Sequence, residues 1–336
     1  MSATVTLRAP GAPLAAPRKV RVHSADELRR ALRETRDRAL ALDASALDCL
    51  LRADEARRAL EVQGAMRWST LAAGLGPRGE PLARWLRSAA LPATVAQAVS
   101  ADAAGPDGAP LAACVDAIAL VTLDGELRRL DRERHAEMFR LVAGGQGVFG
   151  LIYSVTLRID ALLQAAERAS PPLEIVVPGP ALTDAVASEV ETLLPPDRVE
   201  SFQEAAHALA AERRFTLRRI TICRLRKGAE TALGWATRDW AGVSVRVETR
   251  ATLSAYVQTA EICRDLHAEA IARGGSLPAR AAHRASRAQL EACYPQLPAF
   301  LAEKRRYDPA ERLQNAWYRS VTALMRHPVC DSRWTS

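Results

Sequence analysis

The sequence has few lysines and few aromatic residues, and its positive charge is not gathered into patches. Lys19, Lys227 and Lys304 are the only lysines, so arginine carries almost all of the formal net charge of +7. The arginines are spread along the chain, often beside Glu or Asp on predicted helix faces, which is typical of a solvated basic surface. Because the six tryptophans are not interleaved with basic residues, the sequence predicts no nucleic-acid partner.

Cysteine patterns that hold metals or disulfide frameworks are missing. The six cysteines lie far apart and include no C-x-x-C pair, so scattered reduced thiols and no metal site are predicted. No window approaches the ~20 apolar residues of a membrane-spanning helix. Residues 1–17 have neither the basic start nor the apolar run of a signal peptide. We therefore expect a cytoplasmic protein with no membrane partner.

The length and the local patterns predict a mixed globular protein. A chain of 336 residues with 49% hydrophobic residues fits roughly two domains. Residues 19–22 predict a strand, and Ser24 with Glu27 three residues later predicts the capped start of a helix. Residues 115–123 and 126–130 flank the turn Asp124-Gly125, which predicts a β-hairpin. Helices and strands therefore alternate in this part of the chain.

Gly145, Gly147 and Gly150 form a G-x-G-x-x-G pattern, which commonly marks a dinucleotide-binding Rossmann turn. A Rossmann turn follows a strand and opens a helix whose N-terminus meets the pyrophosphate. Here the glycines follow a helical pattern at residues 135–142. They lead into residues 151–159, where apolar and polar residues alternate as in a strand. The predicted order is helix, glycine loop and strand, which excludes the Rossmann interpretation.

The region from residue 115 to residue 159 resembles the FAD-binding domain of the vanillyl-alcohol-oxidase/PCMH-type superfamily of flavin oxidoreductases. The hairpin, the helix with its glycine loop and the following strand match that family's pattern in order. The C-terminal region resembles the closing segment of the FAD-linked oxidase branch. The matching segments are E-M-F-R at 137–140, G-G-Q-G-V-F-G at 144–150, L-E-A-C-Y-P at 290–295, K-R-R-Y-D-P at 304–309 and Q-N-A-W-Y at 314–318.

The resemblance implies an α+β fold, with a PCMH-type FAD-binding domain of two α+β subdomains and a ferredoxin-like α+β cap domain. The expected boundaries are 1–165 for the FAD-binding domain with a truncated first subdomain, 170–285 for the cap and 286–336 for a C-terminal segment that returns to the FAD domain. FAD is the implied cofactor, and it is non-covalent because the usual His or Cys for attachment has no counterpart. The implied cofactor-binding residues are Gly105, Gly144, Gly145, Gly147, Gly150, Ile152 and Asn315.

The sequence departs from the family where the diphosphate is held. There the family's glycine-rich segments let backbone amides approach phosphate oxygens more closely than a Cβ allows. The stretch between Glu34 and Ala39 contains no glycine, and in the second segment, residues 96–105, only Gly105 is kept. Gln97 would crowd a phosphate there, and Asp102 would repel one. We therefore expect weak or absent FAD retention.

The cap domain is predicted from five elements. Strands are expected at 173–177, 215–224 and 241–250, and a long helix from Ser254 ends at the glycines at 274 and 275. A further helix, capped by Thr183, is expected to carry Val186, Val190 and Leu193. Strand, helix, two strands and helix together indicate a ferredoxin-like layer.

The catalytic candidates, His283 and Arg280, lie in the stretch before residue 290, from which the family takes substrate-side groups. The aromatic residues that relatives carry there are missing, which leaves His283 between Arg280 and Arg284. A His beside Arg could act as an acid–base group or contact an anion, and an exposed polar loop is the alternative. Tyr294 and Tyr318 could pack near the flavin ring or in the core.

Two functions follow from these observations. The first is an FAD-dependent oxidoreductase that removes hydride from a C–H bearing a hydroxyl of a sugar-like or alcohol substrate. The second is a flavin-free, catalytically inactive binding or scaffold protein on the same fold. In either case a small molecule is the expected partner, and the sequence does not indicate an oligomeric state.

Overall fold

The computed structural model describes residues 4–7, 18–34, 40–89, 91–178, 184–228, 230–252 and 254–326. Within these ranges the chain forms three β-sheets of three, five and four strands, with helices packed against them. The mixture of antiparallel sheets and helices confirms the predicted α+β class.

The three-stranded sheet comes first. Its strands lie in the order β1-β3-β2, and helix α1 connects the parallel strands β2 and β3. The helix begins as predicted, because Ser24 Oγ accepts a hydrogen bond from the backbone N–H of Glu27 at 3.2 Å. Helix α1 ends at Glu34 and β3 begins at Leu40, so the segment between them is short. The elements are β1 (Thr4–Leu7), β2 (Arg18–Arg21), α1 (Ala25–Glu34) and β3 (Leu40–Asp43).

The five-stranded sheet is antiparallel throughout and has the order β4-β5-β8-β6-β7. Its middle strand, β8, follows the glycine loop directly. The strands are β4 (Leu50–Asp54), β5 (Ala59–Gln63), β6 (Val115–Val121), β7 (Leu127–Asp131) and β8 (Leu151–Arg158). The helices that accompany them are α2 (Trp68–Gly74), α3 (Glu80–Leu86), α4 (Val95–Ser100), α5 (Ala136–Val142) and α6 (Ile159–Glu167).

The hairpin and the glycine loop have the predicted arrangement. Strands β6 and β7 pair around Asp124-Gly125, where Gly125 has a φ of +80°, a conformation that favours glycine. Helix α5 leads into the loop at residues 143–150, and the loop leads into β8. The glycines thus follow a helix and enter an antiparallel sheet, which confirms that a Rossmann interpretation is wrong.

The four-stranded sheet is antiparallel, in the order β10-β12-β11-β9. Ser276 forms a further antiparallel bridge with Leu193 of β10. The path β10-α7-β11-β12-α8-Ser276 has the ferredoxin-like arrangement, with β9 added at one edge. The elements are β9 (Leu173–Val176), β10 (Ala185–Leu194), α7 (Val199–Arg213), β11 (Thr216–Leu225), β12 (Trp240–Arg250) and α8 (Ala255–Ala272).

The predicted helix around residues 183–193 is wrong. Residues 185–194 form strand β10, which pairs with β12 along its whole length, and Thr183 lies outside the described residues. Val186 and Val190 are four residues apart, a spacing that keeps side chains on one face in a helix and also in a strand. The helix of this crossover is α7, which the sequence did not predict.

The C-terminal helices pack into the core of the five-stranded sheet. The ring of Phe300 lies edge-on to Phe149 of the glycine loop, with 5.2 Å between centroids, and edge-on to Trp317 at 6.2 Å. Tyr294 and Tyr318 are also buried in this core, so of their two predicted locations the core is the one observed. The helices are α9 (Arg287–Cys293), α10 (Leu297–Tyr307) and α11 (Ala316–Arg326).

Candidate functional site

A cavity of about 680 Å³ lies between the four-stranded sheet and the loop at residues 103–108. The sheet contributes Glu191, Thr221, Cys223 and Ser244, which alternate along their strands with residues that pack against α7 and α8. The cavity therefore faces the side of the sheet that the two helices leave free. We call it the arginine-lined cavity, after the four arginines at its wall: Arg168, Arg224, Arg226 and Arg280.

Positive charge exceeds negative charge at this wall. Asp107 and Glu191 are the acidic residues that line it, against the four arginines. The Asp107 carboxylate accepts hydrogen bonds from both Arg168, at 3.1 Å, and Arg226, at 2.9 Å. One carboxylate thus serves two guanidinium groups, and the local field attracts an anion.

Arg280 is the predicted catalytic residue that reaches this cavity. Its guanidinium makes two hydrogen bonds to the Glu191 carboxylate, of 2.8 and 2.6 Å. His283 is exposed and is not among the lining residues, and its Nδ1 lies 2.9 Å from the Arg280 carbonyl oxygen. The structure therefore brings Arg280 to the cavity and leaves His283 outside it, exposed on the short 3-10 helix Ala279–Arg284.

Of the predicted cofactor-binding residues, Gly105 lines the cavity, whereas the 144–152 group and Asn315 lie elsewhere. Two amides of the glycine loop donate to carbonyls of α4. Gly144 N–H donates to Val99 at 2.9 Å, and Gln146 N–H donates to Ser100 at 2.8 Å. Both acceptors belong to α4, in the second segment that the resemblance assigned to FAD. The two expected cofactor-binding segments therefore bind each other.

Side chains of the protein fill the space in front of Gly144. This glycine has a φ of +74°, and a Cβ built on it would lie 2.9 Å from the Asp102 Cβ and 3.2 Å from the Thr231 Oγ1. The Thr231 hydroxyl donates a hydrogen bond to Asp102 Oδ2. Burial raises the pKa of Asp102 to about 7. Asp102 and Thr231 thus lie as close to the backbone at residue 144 as only a glycine permits.

The other loop positions serve turns and packing. Gly147 has a φ of +71° and open space around it, as a glycine in a left-handed turn does. A Cβ on Gly145 would lie 1.9 Å from the Leu141 carbonyl oxygen, so the loop folds tightly onto the end of α5. A Cβ on Gly150 would lie 2.9 Å from Leu120, the β6 residue that pairs with Ile152 of β8.

Asn315 is occupied at both ends of its side chain. Its Nδ2 donates to the Gln146 carbonyl at 2.6 Å, and its Oδ1 accepts from the Tyr318 N–H at 2.8 Å. The second bond caps the start of α11. Asn315 therefore ties the glycine loop to the C-terminal helix.

A buried layer separates the glycine loop from the cavity. The Trp235 indole lines the cavity and donates a 2.7 Å hydrogen bond to the Asp102 carbonyl oxygen. Behind it, Asp102 and Thr231 contact Gly144. At Gly144 and Gln146 the amides are engaged, and the space before Gly144 is filled, so this part of the glycine loop does not fit the FAD diphosphate.

The residues that build this layer and the charged wall were mostly missed by sequence reasoning. Asp102 was singled out as a residue that repels phosphate. Thr231 and Trp235 were not, because their contacts with Asp102 span 129 and 133 residues of sequence. The paired arginines on Asp107 also come from distant segments and carry no local signal.

Two further properties of the described part of the chain bear on its chemistry. Its His, Cys, Asp and Glu side chains form no group of three or more that could hold a metal ion. None of its helices combines the length and apolar character needed to cross a membrane.

Comparison with known proteins shows the fold. The sequence matches none of the family models and none of the curated proteins with which it was compared. The structure is similar to that of an alkyldihydroxyacetonephosphate synthase, with a TM-score of 0.57 and 9% sequence identity. The similarity covers 88% of this chain and 76% of that one. The chain therefore has an α+β fold of the PCMH type, and at 9% identity the similarity shows the fold alone.

Proposed function

We propose that this chain binds a small anionic molecule in the arginine-lined cavity and does so without FAD. The observation that carries the proposal is the excess of guanidinium groups at the cavity wall, where Arg168 and Arg226 share the Asp107 carboxylate. Arginine guanidinium groups recognise carboxylates and phosphates through paired hydrogen bonds. Both groups line the cavity, and each guanidinium has more N–H donors than its bond to Asp107 uses.

The size and the polarity of the cavity agree with a small polar ligand. Its volume of about 680 Å³ lies in the usual range for small-molecule sites. The hydroxyls of Thr221 and Ser244 lie on the sheet side, and Trp85 and Trp235 contribute apolar surface. Such a wall can hold the charged end of a molecule at the arginines and cover an apolar or hydroxylated body with the indoles.

The fold favours a second function, the FAD-dependent oxidation of a C–H that bears a hydroxyl, on a sugar-like or alcohol substrate. In such an enzyme FAD would carry the hydride chemistry, and the cavity would hold the substrate. Against this function stand the engaged amides of Gly144 and Gln146 and the side chains of Asp102 and Thr231 in front of the loop. The flavin-free binding protein is therefore the better supported of the two.

Calorimetric titration with inorganic phosphate and with malonate tests the proposal. We expect at least one of these anions to bind the wild-type protein and Arg280→Gln to weaken that binding roughly tenfold, since a hydrogen bond to a charged group is worth about 1.5–3 kcal/mol. Arg246→Gln is the matched control. Arg246 lies on the same sheet and pairs with Glu189 at 3.4 Å, but it does not line the cavity.

The outcomes separate the two functions. If neither anion binds at millimolar concentration, or if both variants weaken binding equally, the cavity is not the anion site. A visible flavin spectrum in the purified wild-type protein, with bound FAD in stoichiometric amount, would support the oxidoreductase instead.

A further inference from the structure

The connection between β11 and β12 leaves its own sheet and packs against the glycine loop and α4. The Ala232 N–H donates to the Arg140 carbonyl at 2.8 Å, close to the end of α5. Glu230 forms an ion pair with Arg132, and Leu233 is buried in the core of the five-stranded sheet. Residues 230–236 are thus fixed on the domain that the resemblance assigns to FAD, although they come from the cap.

The same residues fill the space between the glycine loop and the cavity. Thr231 contacts Asp102 and the position in front of Gly144, and Trp235 bonds to the Asp102 backbone and forms cavity wall. A second indole, that of Trp240, donates to the Trp235 carbonyl at 3.1 Å and supports it from β12. This layer is buried and hydrogen-bonded at each step.

We propose that residues 230–236, together with Asp102, form an internal plug that takes the place of the cofactor's diphosphate in this fold. This inference rests on the flavin-free function proposed above, and it assigns the loss of FAD to particular residues. The side chains of Asp102 and Thr231 occupy the space in front of Gly144, so a diphosphate has no room there. The plug keeps the cap and the glycine loop together where a flavin enzyme would clamp its cofactor between them.

The plug can be opened at Asp102 by a residue that suits the backbone there. Asp102 has a φ of +45°, which glycine adopts without cost. The double variant Asp102→Gly/Thr231→Gly removes the two side chains that stand before Gly144. A matched control is Thr122→Gly/Asp124→Gly, because Thr122 also donates its hydroxyl to an aspartate, in the turn of the β6–β7 hairpin.

In the experiment each protein is titrated with FAD, and binding is measured by the quenching of flavin fluorescence. We expect no saturable binding by the wild type or by the hairpin control. The opened variant should bind FAD at least tenfold more tightly than the wild type. The proposal is wrong if the wild type binds FAD in stoichiometric amount, or if the opened variant is folded and binds FAD no more tightly than the wild type.

Two checks keep the result interpretable. Near-ultraviolet circular dichroism reports whether the opened variant is folded, and Thr231→Gly alone replaces it if it is not. The same two outcomes then decide. Phosphate and malonate titrations of the wild type report on the cavity separately, so the anion-binding proposal can fail while the plug holds, and the reverse.

Discussion

The hydroxyl of Thr231 donates a 2.9 Å hydrogen bond to Oδ2 of Asp102, and this bond joins the β11–β12 connection to the turn after α4. Both residues are buried. The bond lies at the position where the sequence pattern predicts a cofactor. Because Asp102 is buried, its charge state affects the free energy of unfolding, which can be measured.

Replacement of Asp102 by Asn is expected to stabilise the protein at neutral and alkaline pH. Burial raises the pKa of Asp102 to about 7, whereas an unfolded aspartate titrates near 4. The folded state therefore holds a proton that the unfolded state releases, and the free energy of unfolding falls as the pH rises from about 4 to 7. Because each pKa unit is worth about 1.4 kcal/mol, the penalty that Asn removes is on the order of 4 kcal/mol above pH 7.

Urea unfolding of the wild type and of Asp102→Asn at pH 4, 6 and 8 measures this difference. Asn tolerates the positive φ at this position and keeps an acceptor for Thr231. A stability difference between the two proteins that stays constant over the pH range would contradict the raised pKa.

His267 is expected to act in the opposite direction. It is fully buried in α8, and burial, followed by the charge of Arg284, lowers its pKa to about 4. Below pH 6.5 the unfolded state takes up a proton that the folded state refuses, so His267 costs on the order of 3 kcal/mol of stability by pH 4. His267→Leu should therefore gain stability relative to the wild type as the pH falls from 6.5 to 4.

The control for this measurement is His207→Gln, which changes an exposed histidine on α7. Since Asp102 and His267 change the stability in opposite directions over the same pH range, each effect is read as the difference between variant and wild type. Equal pH profiles for His267→Leu and the wild type would show that this histidine titrates normally.

The buried ion pair between Lys304 on α10 and Asp308, the residue just after this helix, is expected to be essential for stability. Lys304 Nζ contacts the Asp308 carboxylate, and the side chains are 0% and 4% exposed. The carboxylate also accepts the backbone N–H groups of Arg312 and Leu313 at 3.0 and 2.9 Å. Asp308→Ala should cost about 3–5 kcal/mol, because it leaves a buried ammonium without its partner.

The comparison for this pair is Glu291→Ala. Glu291 pairs with Arg287 at the same spacing of four residues, but in a more exposed setting on α9. Its loss should cost about 0.5 kcal/mol or less. Thermal unfolding of the two variants side by side tests the difference, and similar losses would show that burial does not decide the strength of these pairs.

Glu191 is expected to compete with a bound anion for Arg280. Two hydrogen bonds hold the guanidinium on this carboxylate, so an anion must share or displace them. Glu191→Gln removes the negative charge and should tighten malonate or phosphate binding several-fold. Glu189→Gln, on the same strand and outside the cavity lining, should leave the affinity unchanged. Calorimetric titration decides, and weaker binding by Glu191→Gln would show that the ion pair prepares Arg280 for the ligand.

Much of the fold followed from local patterns. The capped start of α1, the Asp124-Gly125 hairpin and the alternation in β8 and β12 are short-range features, and each was predicted correctly. The helix predicted at β10 was wrong because apolar residues four positions apart share a face in a helix and also in a strand. Pairing with β12 determines that this segment is a strand. Such pairing is a tertiary effect that propensity does not contain.

The site could be predicted only in part, because its residues meet through the fold. The resemblance indicated that glycines of the family's diphosphate-binding segments are missing here and that Asp102 would repel a phosphate. It could not show that the space had been filled, since Thr231 reaches Asp102 from another domain of the predicted organisation. Arg280, predicted as a catalytic residue, lines the cavity, whereas the two arginines that share Asp107 were found only in three dimensions.

Asp107 has a consequence for how a ligand could exchange. Its side chain is 12% exposed and binds Arg168, just after α6, and Arg226, just after β11. Helix α6 packs in the core of the five-stranded sheet, whereas β11 belongs to the four-stranded sheet, so an opening between these two parts would have to break the ion pair between Asp107 and Arg226. We therefore expect a ligand to enter and leave through the existing opening of the cavity. Added salt screens the ion pairs of Asp107, so it should speed ligand exchange.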